Sequence, residues 1–310
     1  MALLEVKDLK VHFPIRGGIM GRVVGYVKAV DGISFEVETG ETVGLVGESG
    51  SGKSTTGKAI LGLVHLTAGQ IIFNGEDITK YINKNRSPYR KSVQMIFQDV
   101  YSSLNSKKRV LDIIAEPIRN FEKLSKAEER KRVDELLSIV GMTPDNALKY
   151  PFQFSGGQRQ RIGVARAIAL RPKLIVCDEP VSALDLSVQA QVLNYLKDIQ
   201  EEMNLAYLFI SHDLGVVQHM CNKLMIMHRA RFVETGPSEV IYDEGVEHHI
   251  YTKRLLSAIP DTNPDMRAIN EERRIKVAKE YEESVGKYYG PDNTVYDLKE
   301  MGSKHFVALP

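Results

Sequence analysis

A glycine-rich segment followed by lysine and serine is the feature that most constrains this chain. Residues Gly47 to Thr55 read Gly-Glu-Ser-Gly-Ser-Gly-Lys-Ser-Thr. The apolar run Thr42–Val46 before them predicts a buried strand, and helical periodicity follows over Lys53–Val64. Glycines at this spacing let backbone N–H groups cradle a phosphate at the positive end of a helix. The segment predicts an α/β core in which Lys53 reaches the β- and γ-phosphates and the Ser54 hydroxyl holds Mg²⁺.

A second apolar run ends in two carboxylates. Leu174 to Cys177 predicts a buried strand, and Asp178 and Glu179 follow it directly. Because unpaired charge is costly at a buried strand end, the pair needs a cation or a proton to balance it. Asp178 suits the Mg²⁺ shell, and Glu179 suits a general base that polarises the attacking water. Alone, such a pair is more often a solvated turn, but the phosphate loop upstream reverses that interpretation.

The rest of the pattern alternates strands and helices, which indicates a parallel sheet flanked by helices. Ile33–Glu38 alternates apolar and polar residues and predicts a half-buried strand, antiparallel at an edge. Asn74-Gly75 predicts a hairpin turn. From about Ser102 to Pro151 helices prevail, and a capping box is expected at Ser125. Further short strands are predicted at Val93–Phe97, Ala206–Ile210 and Lys223–Met227.

Charge and cysteine content exclude several classes of protein. Lysine and arginine number 41 against 40 acidic residues, so the net charge of +1 gives no basic surface for nucleic acid. Two cysteines cannot form a disulfide framework, and their number suits a reducing compartment. The chain starts without a signal peptide, and its apolar runs fall far short of the ~20 residues that cross a bilayer. We therefore expect a protein that reaches a membrane only by docking on other subunits.

The run Ser155-Gly156-Gly157-Gln158, followed by an arginine-rich helix start, is the most restrictive motif. It resembles the signature motif of ABC ATPases. The phosphate loop, the Asp178–Glu179 strand end, Gln98 after a strand, Ser182 to Asp185 and Ser211-His212-Asp213 occur in the order typical of that family. The resemblance covers residues 2 to 260. It implies a P-loop ATPase fold with an antiparallel β subdomain, a parallel-sheet core, a helical subdomain at about 100–165 and a C-terminal extension over 261–310.

More narrowly, the chain resembles the ATPase subunits of oligopeptide and dipeptide importers. The supporting segments are Val11 to Pro14, Gly47 to Gly50, Val181 to Asp185, Gln189 to Val192, Tyr251-Thr252 and Leu255 to Pro260. Some subunits of this group carry an iron–sulfur cluster on four C-terminal cysteines. Cys177 and Cys221 both lie within the core, so that cluster is excluded here. With no cysteine in its tail and with Gln158 in the signature motif, the chain resembles the cluster-free member of the usual ATPase pair.

The resemblance implies roles for individual residues. Gln98 would contact Mg²⁺ and the attacking water and link the site to the membrane subunits. His212 would contact the γ-phosphate, and Asp185 would communicate across a dimer of ATPase subunits. Ser155, Gly157 and Gln158 would bind the γ-phosphate of ATP held by the partner subunit, through a hydroxyl, a backbone N–H and the helix dipole. The phosphate loop would contribute Gly47, Glu48, Ser49, Gly50, Ser51, Gly52, Lys53, Ser54 and Thr55.

Other candidate residues carry weaker signals. Tyr26 is the aromatic residue expected to stack on adenine, with Phe13 as the alternative and plain packing also open. His248 and His249 have no carboxylate or cysteine cluster near them in sequence and are interpreted as structural. The chain departs from the subfamily at Val100 and Ser106, where proline is common. These departures bear on coupling to the membrane subunits, not on ATP chemistry.

Together these features predict an enzyme that hydrolyses ATP with Mg²⁺ and powers an importer of di- or oligopeptides. The expected partners are a second ATPase subunit that is a paralogue, two transmembrane permease subunits and a substrate-binding protein. The expected location is the cytoplasmic face of the membrane. An oligosaccharide or nickel importer of the same subfamily is the alternative. An exporter, a soluble ABC ATPase of translation or repair, and a non-hydrolytic binding module fit the sequence less well.

Overall fold

A computed structural model describes residues 2–18, 21–82, 88–99, 103–243, 245–259 and 267–310. The chain divides into two compact units. The strand-rich unit comprises Leu4–Glu36, Thr42–Ile72 and Phe209–Pro310, and the helix-rich unit comprises Met1–Leu3, Val37–Glu41 and Phe73–Leu208. The described residues 267–310 belong to the strand-rich unit, and the domain boundary at 260/261 stays a prediction.

The strand-rich unit contains two groups of hydrogen-bonded strands, in the orders β2-β1-β4 and β11-β12-β10-β9-β3. Strands β3 and β9 are parallel, whereas β10 is antiparallel to both β9 and β12. The elements are β1 (Leu4–Gly17), β2 (Arg22–Val37), β3 (Thr42–Val46), α1 (Lys53–Ile60), β4 (Ala68–Phe73), α7 (Leu214–Met220), β9 (Lys223–His228), β10 (Arg231–Pro237), α8 (Ser238–Ile241), α9 (Ile250–Ser257), α10 (Arg267–Ser284), β11 (Leu298–Gly302) and β12 (His305–Ala308).

The helix-rich unit holds the parallel strand pair β6–β7 and most of the long helices. Its elements are β5 (Glu76–Asp77), α2 (Pro88–Ser92), β6 (Val93–Ile96), α3 (Val110–Phe121), α4 (Lys126–Ile139), α5 (Gly156–Ile168), β7 (Leu174–Asp178) and α6 (Leu186–Met203). Strand β8 (Ala206–Ser211) carries the chain from this unit into the strand-rich unit. The helical subdomain predicted at about 100–165 falls inside the helix-rich unit.

Local sequence signals predict most of these elements. All five residues of β3 are buried, as expected for a strand covered on both faces. Over Ile33–Val37 burial alternates residue by residue, which confirms the half-buried pattern, although β2 begins earlier than predicted. Asn74 and Gly75 both have positive φ, as their turn requires. The helix predicted over Lys53–Val64 is too long: it ends at Ile60, because Gly62 turns into the left-handed region.

Capping and apolar spacing define the helices of the helix-rich unit. Ser125 and Glu128 form the expected reciprocal capping box at the start of α4. The helix buries Val133, Leu136 and Leu137 on one face, and Gly141 beyond its end has φ of +67°. Within the described ranges, no helix combines the length and the apolarity that a membrane span requires.

A fully buried carboxylate joins three segments of the strand-rich unit. Glu234 of β10 accepts hydrogen bonds from His248 Nδ1 at 2.7 Å and from His305 Nε2 at 2.8 Å, both on Oε1. Its Oε2 accepts the backbone N–H of His249 at 2.9 Å. Spacing in the sequence pairs no carboxylate cluster with His248, whereas the structure places Glu234 against it. The carboxylate comes from a strand 14 residues away, and the second imidazole from the C-terminal strand β12, so sequence spacing gave no signal.

The geometry fixes the charge of His248. Its Nδ1 faces an oxygen of Glu234 and its Nε2 faces the carbonyl oxygen of Asp243 at 2.9 Å. With Glu234 ionised, both neighbours only accept, so both ring nitrogens carry hydrogen and His248 is an imidazolium. Burial opposes that charge, but the hydrogen bond and the charge of Glu234 outweigh burial and raise the pKa of His248. Burial likewise opposes ionisation of Glu234, yet the hydrogen bonds from His248 and His305 lower its pKa.

This pair predicts a pH-dependent contribution to stability. The part from His248 is complete below the ordinary histidine pKa of 6.5 and is lost as pH rises through its higher folded value. The part from Glu234 is complete above 4.5 and is lost as pH falls through its lower folded value. We expect His248→Gln to reduce the free energy of unfolding by about 2 kcal/mol at pH 5.5 and by less at pH 8.5, in urea unfolding.

The exposed His65, for which we expect no such effect, provides the control His65→Gln. An equal loss of stability at both pH values for His248→Gln would contradict the charged pair.

Candidate functional site

The phosphate loop connects β3 to α1 through a close backbone contact. A Cβ on Gly47 would lie 2.1 Å from the carbonyl oxygen of Met227 at the end of β9, so only glycine fits. The Lys53 ammonium is nearly buried and donates hydrogen bonds to the carbonyl oxygens of Gly47 at 2.7 Å and Glu48 at 2.8 Å. The carbonyl groups of the loop therefore hold the Lys53 ammonium against the loop backbone.

The loop fits a phosphate group. Helix α1 begins at Lys53, and its N-cap Gly52 supplies no side-chain cap, so the positive end of the helix dipole faces the loop. A Cβ on Gly50 would meet nothing within 4 Å, which leaves open space beside the loop. Ser51 Oγ is buried and has no hydrogen-bond partner among the described residues. A lysine ammonium, a helix N-terminus and the orphan hydroxyl of Ser51 together suit an anion.

The two carboxylates occupy different environments at the end of β7. Asp178 is the last residue of the strand and is buried. Glu179 has φ of +47°, a strained conformation for a non-glycine residue. Its Oε2 accepts a hydrogen bond of 2.8 Å from Gln98 Nε2, which follows strand β6. The structure thus brings together Gln98 and Glu179, which lie 81 residues apart and which the sequence assigned to the same chemistry.

The signature motif forms the N-terminus of α5. Ser155 is its N-cap, its Oγ accepts the N–H of Gln158 at 3.4 Å, and Gln158 Oε1 accepts the N–H of Ser155 at 3.1 Å. The Ser-x-x-Gln spacing indicates this capping box, which is not among the sequence predictions. A Cβ on Gly157 would lie 2.5 Å from the Val188 side chain, so α5 packs closely on the start of α6. Asp185 is the N-cap of α6 and makes no side-chain cap bond.

The remaining predicted residues lie in the strand-rich unit. His212 follows β8 and is exposed, next to Asp213, whose carboxylate caps α7. Tyr26 on β2 is 60% exposed and Phe13 on β1 is 42% exposed, so both rings offer a face for stacking. Ser106 is exposed in a turn, and Val100 lies outside the described residues. The predicted set is thus divided: Gly47 to Thr55, His212 and Tyr26 lie in the strand-rich unit, and Gln98, Ser155, Gly157, Gln158, Asp178, Glu179 and Asp185 lie in the helix-rich unit.

A nucleotide-type phosphate loop, an aspartate–glutamate strand end and a glycine-containing capped helix define an ATPase cassette. The sequence profile described as "ABC transporter" matches residues 30–182. Among solved structures, that of cbiO1 from Clostridium perfringens, part of the ABC transporter complex cbiONQ, superposes with a TM-score of 0.66 at 27% identity. The match covers 79% of this chain and 92% of that chain.

Relatives that match most of the chain show which kind of ATP-binding protein it is similar to. The oligopeptide transport ATP-binding protein OppF of Lactococcus lactis subsp. lactis (strain IL1403) is 56% identical over 99% of this chain and 96% of its own length. Two proteins of Bacillus subtilis (strain 168) carry the same description: AppF is 50% identical over 84% of this chain and 79% of its own length, and OppF is 45% identical over 98% and 95%. The chain belongs to the ABC transporter ATP-binding family.

The close approach at Gly47 generates a prediction. Gly47→Ala places a methyl group against the Met227 carbonyl, and we expect it to destabilise the nucleotide-free protein by about 3 kcal/mol, measured by urea unfolding. Gly50→Ala is the matched control in the same loop, because its added methyl group meets open space and costs only the strain of a positive φ. Equal stability of the two variants would show that the backbone contact does not constrain the loop.

Proposed function

We propose that this chain is the ATP-hydrolysing subunit of an ABC importer for di- or oligopeptides. The observation that carries the proposal is the complete set of hydrolysis residues in a chain 56% identical to an oligopeptide transport ATP-binding protein. An importer of oligosaccharides or nickel remains the second candidate, because ATPase subunits of this type do not contact the cargo. A soluble ABC ATPase of another pathway is a weaker alternative, since the relatives described above are transport proteins along nearly their full length.

The phosphate loop would bind ATP through its amides, with Lys53 on the β- and γ-phosphates. Ser54, Gln98 and Asp178 would hold Mg²⁺, an ion that prefers oxygen ligands. Asp178 fits this role, because it ends the buried strand β7 and offers carboxylate oxygens of the kind that Mg²⁺ prefers. When bound, the ion neutralises charge on the phosphate oxygens. Tyr26 would stack on adenine.

Hydrolysis would proceed by in-line attack of water on the γ-phosphorus. Glu179 would polarise the water, Gln98 would orient it, and His212 would contact the γ-phosphate. Lys53 would stabilise the charge that develops on the phosphate oxygens. The hydrogen bond between Gln98 and Glu179 supports a shared role, because it already places the amide on the carboxylate oxygen.

The signature motif implies that each complete ATP site needs a second ATPase subunit. Ser155, Gly157 and Gln158 would bind the γ-phosphate of ATP held by that partner. Asp185 would communicate between the two ATPase subunits. We infer that the partner is a paralogue and that the pair docks, peripherally and on the cytoplasmic face, onto two permease subunits that receive cargo from a substrate-binding protein. ATP-driven closure of the pair would then move the permeases.

Glu179→Gln is the direct test of hydrolysis. We expect the variant to bind ATP normally and to lose about 10²–10⁴-fold in turnover, because only the general base is removed. Turnover is measured as phosphate release by the assembled complex, and binding by calorimetry on the same preparation. Glu201→Gln on the exposed face of α6 is the control and keeps wild-type turnover. Unchanged hydrolysis in Glu179→Gln would remove the proposed role.

The cargo is tested in the reconstituted importer. We expect phosphate release to rise when the substrate-binding protein is loaded with oligopeptide and to stay at its basal level with oligosaccharide or nickel. Stimulation by either of those ligands instead would identify the alternative cargo. Failure to co-purify with any permease subunit would count against transport altogether.

A further inference from the structure

The phosphate loop is hydrogen-bonded to α9, a helix much later in the sequence. Glu48, the second residue of the loop, donates its backbone N–H to the phenol oxygen of Tyr251 on α9 at 2.8 Å, across 203 residues. The Glu48 carboxylate also lies 3.4 Å from the Arg254 guanidinium one turn later. Both members of that ion pair are about half exposed, at 47% each, so the pair contributes little. Tyr251 is fully buried, so its hydrogen bond is the significant contact.

The position of the Tyr251 ring is fixed by His228 and, through His228, by Tyr289. Its ring stacks on His228, with centroids 4.1 Å apart and planes inclined by 18°. His228 Nδ1 is hydrogen-bonded to the phenol oxygen of Tyr289 at 2.6 Å. Burial, and then the neighbouring Arg229, lower the pKa of His228 to about 4, so the imidazole is neutral near pH 7. The ring that carries this phenol oxygen is therefore packed on His228, which is itself hydrogen-bonded to Tyr289.

The same loop residue is bound on its other side by the lysine that would reach the phosphates. Lys53 Nζ donates to the carbonyl oxygen of Glu48 at 2.8 Å as well as to that of Gly47. One residue thus has its N–H held by Tyr251 and its carbonyl held by Lys53. Releasing the N–H would loosen the carbonyl that orients the ammonium.

Helix α9 is in turn anchored by the C-terminal helix α10. The Arg274 guanidinium donates to the carbonyl oxygens of Ser257 at 3.0 Å and Ala258 at 3.3 Å. Lys253 and Glu280 form an ion pair at 3.1 Å between the two helices. Helix α10 therefore packs on α9, the helix whose Tyr251 is hydrogen-bonded to the phosphate loop.

We propose that Tyr251 is a positioning residue for the phosphate loop, through which the C-terminal helices set the affinity for the nucleotide phosphates. This inference rests on the proposed function, because it requires that the loop binds ATP. The competing interpretation is that Tyr251 only packs the core. The two differ in one respect: packing depends on the ring, and positioning depends on the hydroxyl.

Tyr251→Phe separates these roles, since it keeps the ring and removes the acceptor of the Glu48 amide. We expect its affinity for ADP to fall about fivefold, the loss expected for one neutral hydrogen bond, measured by calorimetry on the full chain. In the assembled complex the KM for ATP should rise by a similar factor with kcat unchanged, because the hydrogen bond is made in the ground state and the transition state alike.

Two variants serve as controls. Tyr207→Phe removes an equally buried hydroxyl, which donates to the Leu196 carbonyl at 2.9 Å in the helix-rich unit, so it should lower thermal stability without changing ADP affinity. Arg254→Gln removes the exposed ion pair with Glu48 and the contact of the guanidinium with the Tyr281 ring at 4.7 Å, but keeps the Tyr251 hydrogen bond, and should change affinity less than twofold.

Two results overturn the proposal: wild-type ADP affinity in Tyr251→Phe, or an equal loss in Tyr207→Phe, which would indicate a general stability effect. Absence of ADP and ATP binding in the wild-type chain would instead refute the proposed function itself.

Discussion

The backbone contact between Gly47 and β9 is the constraint on which the nucleotide end of the strand-rich unit depends. Strands β3 and β9 run parallel and adjacent, with Val46 opposite Ile226, so the residue after β3 meets the carbonyl of Met227 without room for a side chain. A second approach of the same kind occurs at Gly52, where a Cβ would lie 2.2 Å from the Ala29 carbonyl. Two glycines thus let the chain turn tightly between strand and helix, and that turn directs Lys53 back over the loop. The conformation of the phosphate loop is consequently determined by the carboxyl ends of β3 and β9 as much as by the sequence of the loop.

The sequence was sufficient where a local pattern determines local structure. Burial of β3 on both faces, the alternation along Ile33–Val37 and the capping box at Ser125 all follow from spacing within a few residues. The contacts that sequence reasoning missed link distant segments through polar atoms. His305 reaches Glu234 across 71 residues, and Tyr251 reaches Glu48 across 203. Imidazole and phenol groups at such separations leave no periodic signal, so only the packed structure identifies their partners.

The atoms that cap α5 in the signature motif are also those that we propose to bind a phosphate. In this chain Ser155 and Gln158 satisfy each other's backbone N–H groups, which stabilises the start of α5 without any ligand. The longer of the two bonds, at 3.4 Å, is accepted by the serine hydroxyl oxygen, and the hydroxyl hydrogen takes no part in it. Ser155 can therefore cap its own helix and donate to a phosphate oxygen at once. Because the cap fixes the hydroxyl at the helix N-terminus, the geometry for the proposed phosphate contact is set without any ligand.

The pairing of Gln98 with Glu179 bears on how hydrolysis would be controlled. Glu179 adopts a left-handed backbone conformation that costs on the order of 1 kcal/mol for a non-glycine residue, and strain of this kind persists only where neighbouring contacts impose it. The amide of Gln98 donates to the carboxylate oxygen that a general base would present to water. While that bond is intact, one lone pair of this carboxylate oxygen is occupied by the amide. If Glu179 is the proposed base, this oxygen becomes available to water only after the amide has moved. The position of the Gln98 side chain would therefore govern activation of the water by that oxygen.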